Sequence, residues 1–187
     1  MAEESSNLLA RTLSTYRILW AAFIGSEIIY GIALWLSQRS PPPGERGPLS
    51  EDPLLLVMIL AAAAAAVLGR MTPRFMLTPA RLRAAAEGDV RDALRMRREL
   101  SMAEIDELAS RPEIERRPFL FLELWGNASI VRWAVYEAVG IFGLVIGFLR
   151  HEPWTFVPFG AVAILLLLTA RPDLDELHRL AQGHSRT

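Results

Sequence analysis

Glu137 and Glu27 are the two residues of this chain best placed to do chemistry. Each lies inside an apolar run, Glu137 in IVRWAVYEAVGIFGLVIGFLR (130–150) and Glu27 within Ile18–Leu36. A carboxylic acid in such a run is expensive and marks a candidate for proton or ion contact. Ionising it at mid-membrane costs ~2.5–3.5 kcal/mol. Keeping it neutral at pH 7 costs a comparable amount, so burial alone does not choose the protonation state. A neighbouring cation would choose the charged form. Arg132 precedes Glu137 by five residues, which puts it about 140° round an α-helix from that acid. The two therefore do not share a face. Ser26, Tyr30 and Tyr136 carry hydroxyls able to bond an acid on a facing helix. As structural glue, such a bond is worth about 1 kcal/mol. That structural reading stands beside the proton reading for both acids.

The elements that must carry these acids follow from composition. Of 187 residues, 52% are hydrophobic, more than in an ordinary soluble domain. The excess falls in four runs, which predicts an all-α polytopic membrane protein. Formal net charge is −1, so nucleic acid has no electrostatic footprint. Cys is absent and every cation is Arg. Disulfides, thiolate metal sites and Lys Schiff-base chemistry are thereby excluded. The Arg and Ala usage points to a GC-rich bacterial genome. His151, His178 and His184 lack metal-ligand spacing, and no cofactor or nucleophile motif occurs. The expectation is a protein without enzymatic activity, metal or cofactor.

Taken in order, the chain reads as follows. Residues 1–15 are a polar N-terminal segment without the basic start and cleavage site of a secretory signal. Transmembrane helix 1 covers 16–37, with Trp20 and Trp35 towards its ends, where indoles favour the interface. Ala21/Gly25 and Ala22/Ser26 place small residues four apart, as close helix packing requires. Residues 38–52 form a loop broken by Pro41–Pro43. Helix 2 covers 53–70, thinned by Ala61–Ala66, with Pro73 and Pro79 expected to end it. Residues 71–128 are a helical segment outside the membrane. There Thr78-Pro79 reads as a helix start, and Ser101-x-x-Glu104 as a capping box. Val90, Leu94 and Arg97/Arg98 continue its helical spacing. Arginines and acids alternate in near balance, as on a solvated ion-paired surface or a docking face. PFLFLELW (118–125) either lies along the interface or prolongs helix 3. Helix 3 covers 129–150. Helix 4 covers 153–170, and Pro158 either begins it or kinks it. A short amphipathic tail (171–187) follows.

Arg39, Arg46 and Arg150 flank or fall in the two short loops, and the other arginines fall elsewhere. The positive-inside rule therefore puts both termini and the central segment in the cytoplasm of a bacterial inner membrane. IIYGIALWL in helix 1 echoes GIFGLVIGFL in helix 3, as two parallel hairpins would. Under that match Glu137 stands opposite Gly25, so the two acids are not equivalent.

Glu137-Ala-Val-Gly-Ile-Phe-Gly-Leu-Val-Ile-Gly-Phe-Leu149 resembles the ion-carrying helix of the rotor-ring proteolipid, the c subunit of F- and V-type ATP synthases. That helix reads roughly Glu-Ala-Leu-Gly-Ile-Tyr-Gly-Leu-Val. The resemblance implies Glu137 as a proton carrier and Gly140, Gly143 and Gly147 as a helix-packing face. It covers this one stretch. The alternate glycines of that family's partner helix have no counterpart here, and the acid-bearing span comes first in each hairpin. As a whole, the chain is similar to small four-span bacterial membrane proteins of unassigned activity. The sequence thus points to a structural or accessory component of a membrane complex, embedded in lipid and packed with itself or with larger partners. The alternative is a proton- or cation-linked subunit or transporter using Glu137.

Overall fold

The computed structural model describes residues 2–38, 53–89, 91, 101–173, 175–177 and 179. The Pro-rich loop from 39 to 52, Val90, Leu94, Arg97/Arg98, His178 and His184 lie outside the described residues. All regular structure among the described residues is helical. The helices are α1 (Ala2–Ser37), α2 (Pro53–Met76), α3 (Pro79–Ala86), α4 (Met102–Ser110), α5 (Glu113–Arg150) and α6 (Phe156–Thr169), with a 3-10 turn at Pro153–Thr155 before α6.

Three stretches are long and apolar enough to cross a membrane: Leu8–Ser37, Pro53–Met76 and Glu115–Arg150. The fourth apolar helix, Pro153–Thr169, is shorter. At 1.5 Å per residue it reaches about 25 Å, against a hydrocarbon core of ~30 Å.

α1, α2 and α5 run on beyond the apolar stretches they contain. α1 begins at Ala2, upstream of the apolar run: no Pro or Gly interrupts residues 2–15, and Leu9, Leu13 and Tyr16 bury one helical face. α2 passes through Pro73, which removes one backbone donor near the helix end. The Pro73 carbonyl still accepts from Leu77 N at 2.8 Å. α5 starts at Glu113, so residues 118–128 prolong the helix, with Pro118 early within it. Pro158 lies in the first turn of α6, where its missing N–H has no intrahelical partner to lose.

The chain divides into two compact units. The first comprises Met1–Leu19, Thr72–Ile130 and Pro172–Thr187. Its core is apolar at helical spacing: Leu9, Leu13 and Tyr16 on α1, Ile105 and Leu108 on α4, Phe121, Leu122 and Trp125 on α5. Tyr16 and Trp125 meet edge to face at 5.6 Å, and the Tyr16 hydroxyl rests on the backbone at Gly126, where a Cβ would not fit. The central segment is therefore a cored module and not only an ion-paired surface. Both expected helix starts hold. Thr78 accepts from Arg81 N with Pro79 at the first helical position, and Ser101 and Glu104 cap α4 reciprocally.

Hydrogen bonds from the Ser101 backbone and hydroxyl hold the Glu104 carboxyl below the usual carboxylate range, with Arg11 at 3.4 Å adding a smaller pull. A folded-state pKa below the unfolded one contributes stability above the unfolded value and loses it as pH falls through the folded value. Acidification below the ordinary range of a Glu is thus expected to loosen α4. Ser101→Ala should lower the melting temperature at pH 7 and remove part of that acid sensitivity, as read by circular dichroism of the purified chain.

The second unit comprises Trp20–Met71 and Val131–Arg171. Ala62 and Ala65 of α2, Val139 and Ile146 of α5, and Phe159 and Ala163 of α6 form its core. Small residues let the helices approach: Gly69 of α2 takes the Tyr136 ring, and Gly143 of α5 takes Phe159. Its outward faces are aliphatic; Ile29 is 63% and Leu60 61% exposed. Such surfaces are unfavourable in water and suited to lipid. At the end of α5, His151 adopts φ 52, a left-handed turn residue that lets Glu152 N bond Gly147 O at 3.1 Å.

Candidate functional site

The site lies on the seam between α1 and α5 in the second unit. Phe23, Ser26, Glu27, Tyr30 and Leu34 recur on one face of α1, and Trp133, Glu137, Gly140 and Gly147 on one face of α5. The contacts pair them in rising order: Phe23 with Trp133, Ser26 and Tyr30 with Glu137, Glu27 with Gly140, Leu34 with Gly147. Both numbers increase together, so α1 and α5 run parallel along the seam.

Glu137 is half-buried and held from the facing helix. The Ser26 hydroxyl reaches its Oε1 at 2.7 Å, and the Tyr30 hydroxyl donates to the same oxygen at 2.9 Å. Ser26 Oγ also lies 2.7 Å from the Phe23 carbonyl. Glu27 is placed differently. It is 1% exposed, and neither carboxyl oxygen has a hydrogen-bond partner. Its carboxyl lies against α5 at Gly140, where an added Cβ would collide with it. Glu27 also lines a groove of about 420 Å³ with Gly31, Trp35, Trp154, Phe156 and Gly160. Among the described residues no cation pairs with either acid.

Of the site residues read from sequence, Glu27, Glu137, Ser26, Tyr30 and Gly140 come together. Arg132 and Tyr136 do not join them. Arg132 Nε donates to Tyr136 Oη at 3.2 Å, and its guanidinium lies 5.4 Å from that ring's centre. This pair turns towards Gly69 of α2. The glycine face also divides. Gly140 and Gly147 face α1, whereas Gly143 faces Phe159 of α6. Residues 140 and 147 are seven apart and nearly eclipsed on a helix, while 143 is rotated by about 60°.

Two tryptophans carry a role that their positions in the sequence did not suggest. Trp20 Nε1 donates to Leu167 O at 2.8 Å, and Trp133 Nε1 to Ala170 O at 2.9 Å. Both carbonyls lie at the C-terminal end of α6, Leu167 O in its last turn and Ala170 O at the cap residue just beyond it. Gln38 Nε2 likewise donates to Gly147 O at 2.6 Å, near the end of α5.

The arrangement has two carboxyls in one water-poor seam, one with two hydroxyl neighbours and one with none. No protein-family model, curated protein or solved structure matches this chain.

Proposed function

We propose that the chain is a four-span, non-enzymatic protein of a bacterial inner membrane that serves as a structural or accessory component of a membrane complex. The observation that carries this reading is the division into units. The three polar stretches of the sequence form one cored helical unit, while the apolar stretches form another with aliphatic outer faces. The chain passes between units after residues 19, 71, 130 and 171. Alternation of this kind suits four crossings, with Pro153–Thr169 as a short fourth span. The Gly143–Phe159 contact suits antiparallel packing of α5 and α6. Both termini and the central segment then share the Arg-rich, cytoplasmic side.

Two measurements test it. The chain has no Cys, so single cysteines can be introduced and labelled with a membrane-impermeant maleimide. Cysteines at residues 44 and 152 should label from the periplasm, and those at 5, 89 and 185 only after lysis. In mild detergent the protein should run as an assembly; a chain that is always a lone monomer overturns the accessory role.

A second reading, a proton-linked membrane subunit, is favoured by one observation: the buried, unpartnered Glu27 beside a hydroxyl-bonded Glu137. In reconstituted vesicles carrying a pH dye, Glu137→Gln should abolish a proton flux seen with the wild type. Equal flux from the two proteins removes this reading.

A further inference from the structure

A groove of about 630 Å³ runs between α2 and α6 in the second unit, with the buried Val139 of α5 as its floor. Its α2 wall is Leu55, Ile59, Ala63 and Ala66, spaced four, four and three, which is one face of a helix. Pro158 and Val162, one turn apart, line the α6 wall. The space exists because of what the walls lack. Ala63 and Ala66 end at a methyl group, and the nearest large ring, Phe159, is seated against α5 at Gly143, where a Cβ would not fit. Polar residues line one end only: Glu152 and Thr155, beside the Trp154 ring, which is 78% exposed. The other end is at Ala66. Gly69, three residues further on, meets Tyr136 of α5, which lies about 21 Å of helix before Arg150 and the turn that carries Glu152. From Leu55 to Ala66 the groove follows about 16 Å of helix. That is close to half of a ~30 Å hydrocarbon core.

We propose that this groove is a lipid site: it holds one acyl chain of a phospholipid of the periplasmic leaflet, whose amine-bearing headgroup is recognised at Glu152. Depth favours a lipid over a second copy of the chain, because a chain of one leaflet ends near the bilayer centre, whereas a docking helix would run the full span. Polarity agrees. It is confined to the end at headgroup level, where the Trp154 indole is also suited to the interface, and the rest of the groove is apolar. Charge selects the headgroup. The Glu152 side chain is 37% exposed at the mouth, and Arg150 Nε lies 3.5 Å from its carboxylate. A zwitterionic headgroup offers an ammonium to Glu152 and a phosphate to Arg150. An anionic headgroup without an amine brings only negative charge towards Glu152. The site rests on the membrane placement proposed above and asks nothing of Glu27 or Glu137.

Photolabelling of the full-length protein in phosphatidylglycerol vesicles tests this. The vesicles carry a trace of a phospholipid with a diazirine midway along one chain, its headgroup either phosphoethanolamine or phosphoglycerol. Light expels dinitrogen, the carbene inserts into a neighbouring C–H bond, and peptide mass spectrometry reads the position. Leu60, on the outward face of α2 and 61% exposed, should take equal label from both probes. At Ile59, Ala63 and Ala66 the ethanolamine probe should give about fivefold more label than the glycerol probe, roughly the worth of one charge near a membrane surface. Glu152→Gln should bring that ratio close to one, and Glu152→Asp should keep it. Ala63→Leu combined with Ala66→Leu should cut groove labelling by both probes and leave Leu60 unchanged; if that variant does not fold, the two Glu152 variants decide. Equal groove labelling by the two probes in the wild type overturns the proposal, and so does a ratio that Glu152→Gln leaves unchanged. Groove positions that take no label while Leu60 does would mean that protein fills the groove, a second copy included, and would overturn it as well. Absence of label at Leu60 too would put these helices outside lipid, and the membrane placement would fall together with the site.

Discussion

Trp133→Ala is expected to lower the unfolding free energy of the second unit by about 3–5 kcal/mol, the range for truncating a fully buried aromatic ring. Trp133 has no exposed surface, packs at 6.1 Å against the Phe23 ring, and donates its indole N–H to the Ala170 carbonyl. In lipid, water cannot take over that carbonyl. Three contributions fall together: ring packing, the hydrogen bond, and the closure of the α6 end. Trp133→Phe separates them. It keeps most of the packing and should cost about 1 kcal/mol, the net worth of one buried hydrogen bond. Trp20→Phe should cost less, because Leu167 O also accepts from Ala170 N at 3.0 Å. Unfolding in mixed micelles by graded addition of SDS would rank the three. Equal loss from Trp133→Ala and Trp133→Phe would show that the indole N–H, and not the ring, holds α6.

How much of this was readable beforehand depends on what a residue's role needs. Apolar run length sufficed to place α1, α2 and α5, whose apolar stretches are long enough to cross a bilayer, and the shorter apolar helix α6. The caps at Thr78-Pro79 and Ser101-Glu104 were readable because a cap is local: donor and acceptor lie three residues apart. Helix ends were read too conservatively. Pro73 looked like a stop, but it removes a single donor near the end of α2, and the packed helix absorbs that loss. Ser26 and Tyr30 were recognisable as partners for a membrane acid because they are hydroxyls within the first apolar run. That both would serve Glu137 and leave Glu27 alone was not recognisable. It depends on the register of α1 against α5, which sequence spacing within one helix cannot supply. The same holds for the indoles of Trp20 and Trp133: an interface position and a bond to a helix end look alike in one dimension.

Gly140→Ala is expected to destabilise the α1–α5 seam by about 1–3 kcal/mol, the usual cost of adding an atom to a packed core. The sign is informative. In a helix interior, Gly to Ala is otherwise favourable by roughly 0.5–1 kcal/mol. Gly25 on α1 provides that comparison, since a Cβ there meets nothing within 4 Å. Gly25→Ala should therefore stabilise while Gly140→Ala does the reverse, although both change one hydrogen to a methyl group in an apolar helix. The difference comes from the Glu27 carboxyl. A Cβ at residue 140 would overlap the carboxyl of Glu27, which is itself only 1% exposed, so the side chain would have to shift to make room. Glu27→Ala should then rescue Gly140→Ala. A double-mutant cycle on the pair should give a coupling within the 0.5–3 kcal/mol seen for residues in contact. By itself Glu27→Ala should cost little, because the acid makes no hydrogen bond that its removal would break. These stabilities are measurable by the same SDS titration used for Trp133. If Gly140→Ala gained stability as Gly25→Ala does, the Glu27 carboxyl could not be lying against α5. The proton-linked reading, which depends on its enclosure there, would lose its physical basis.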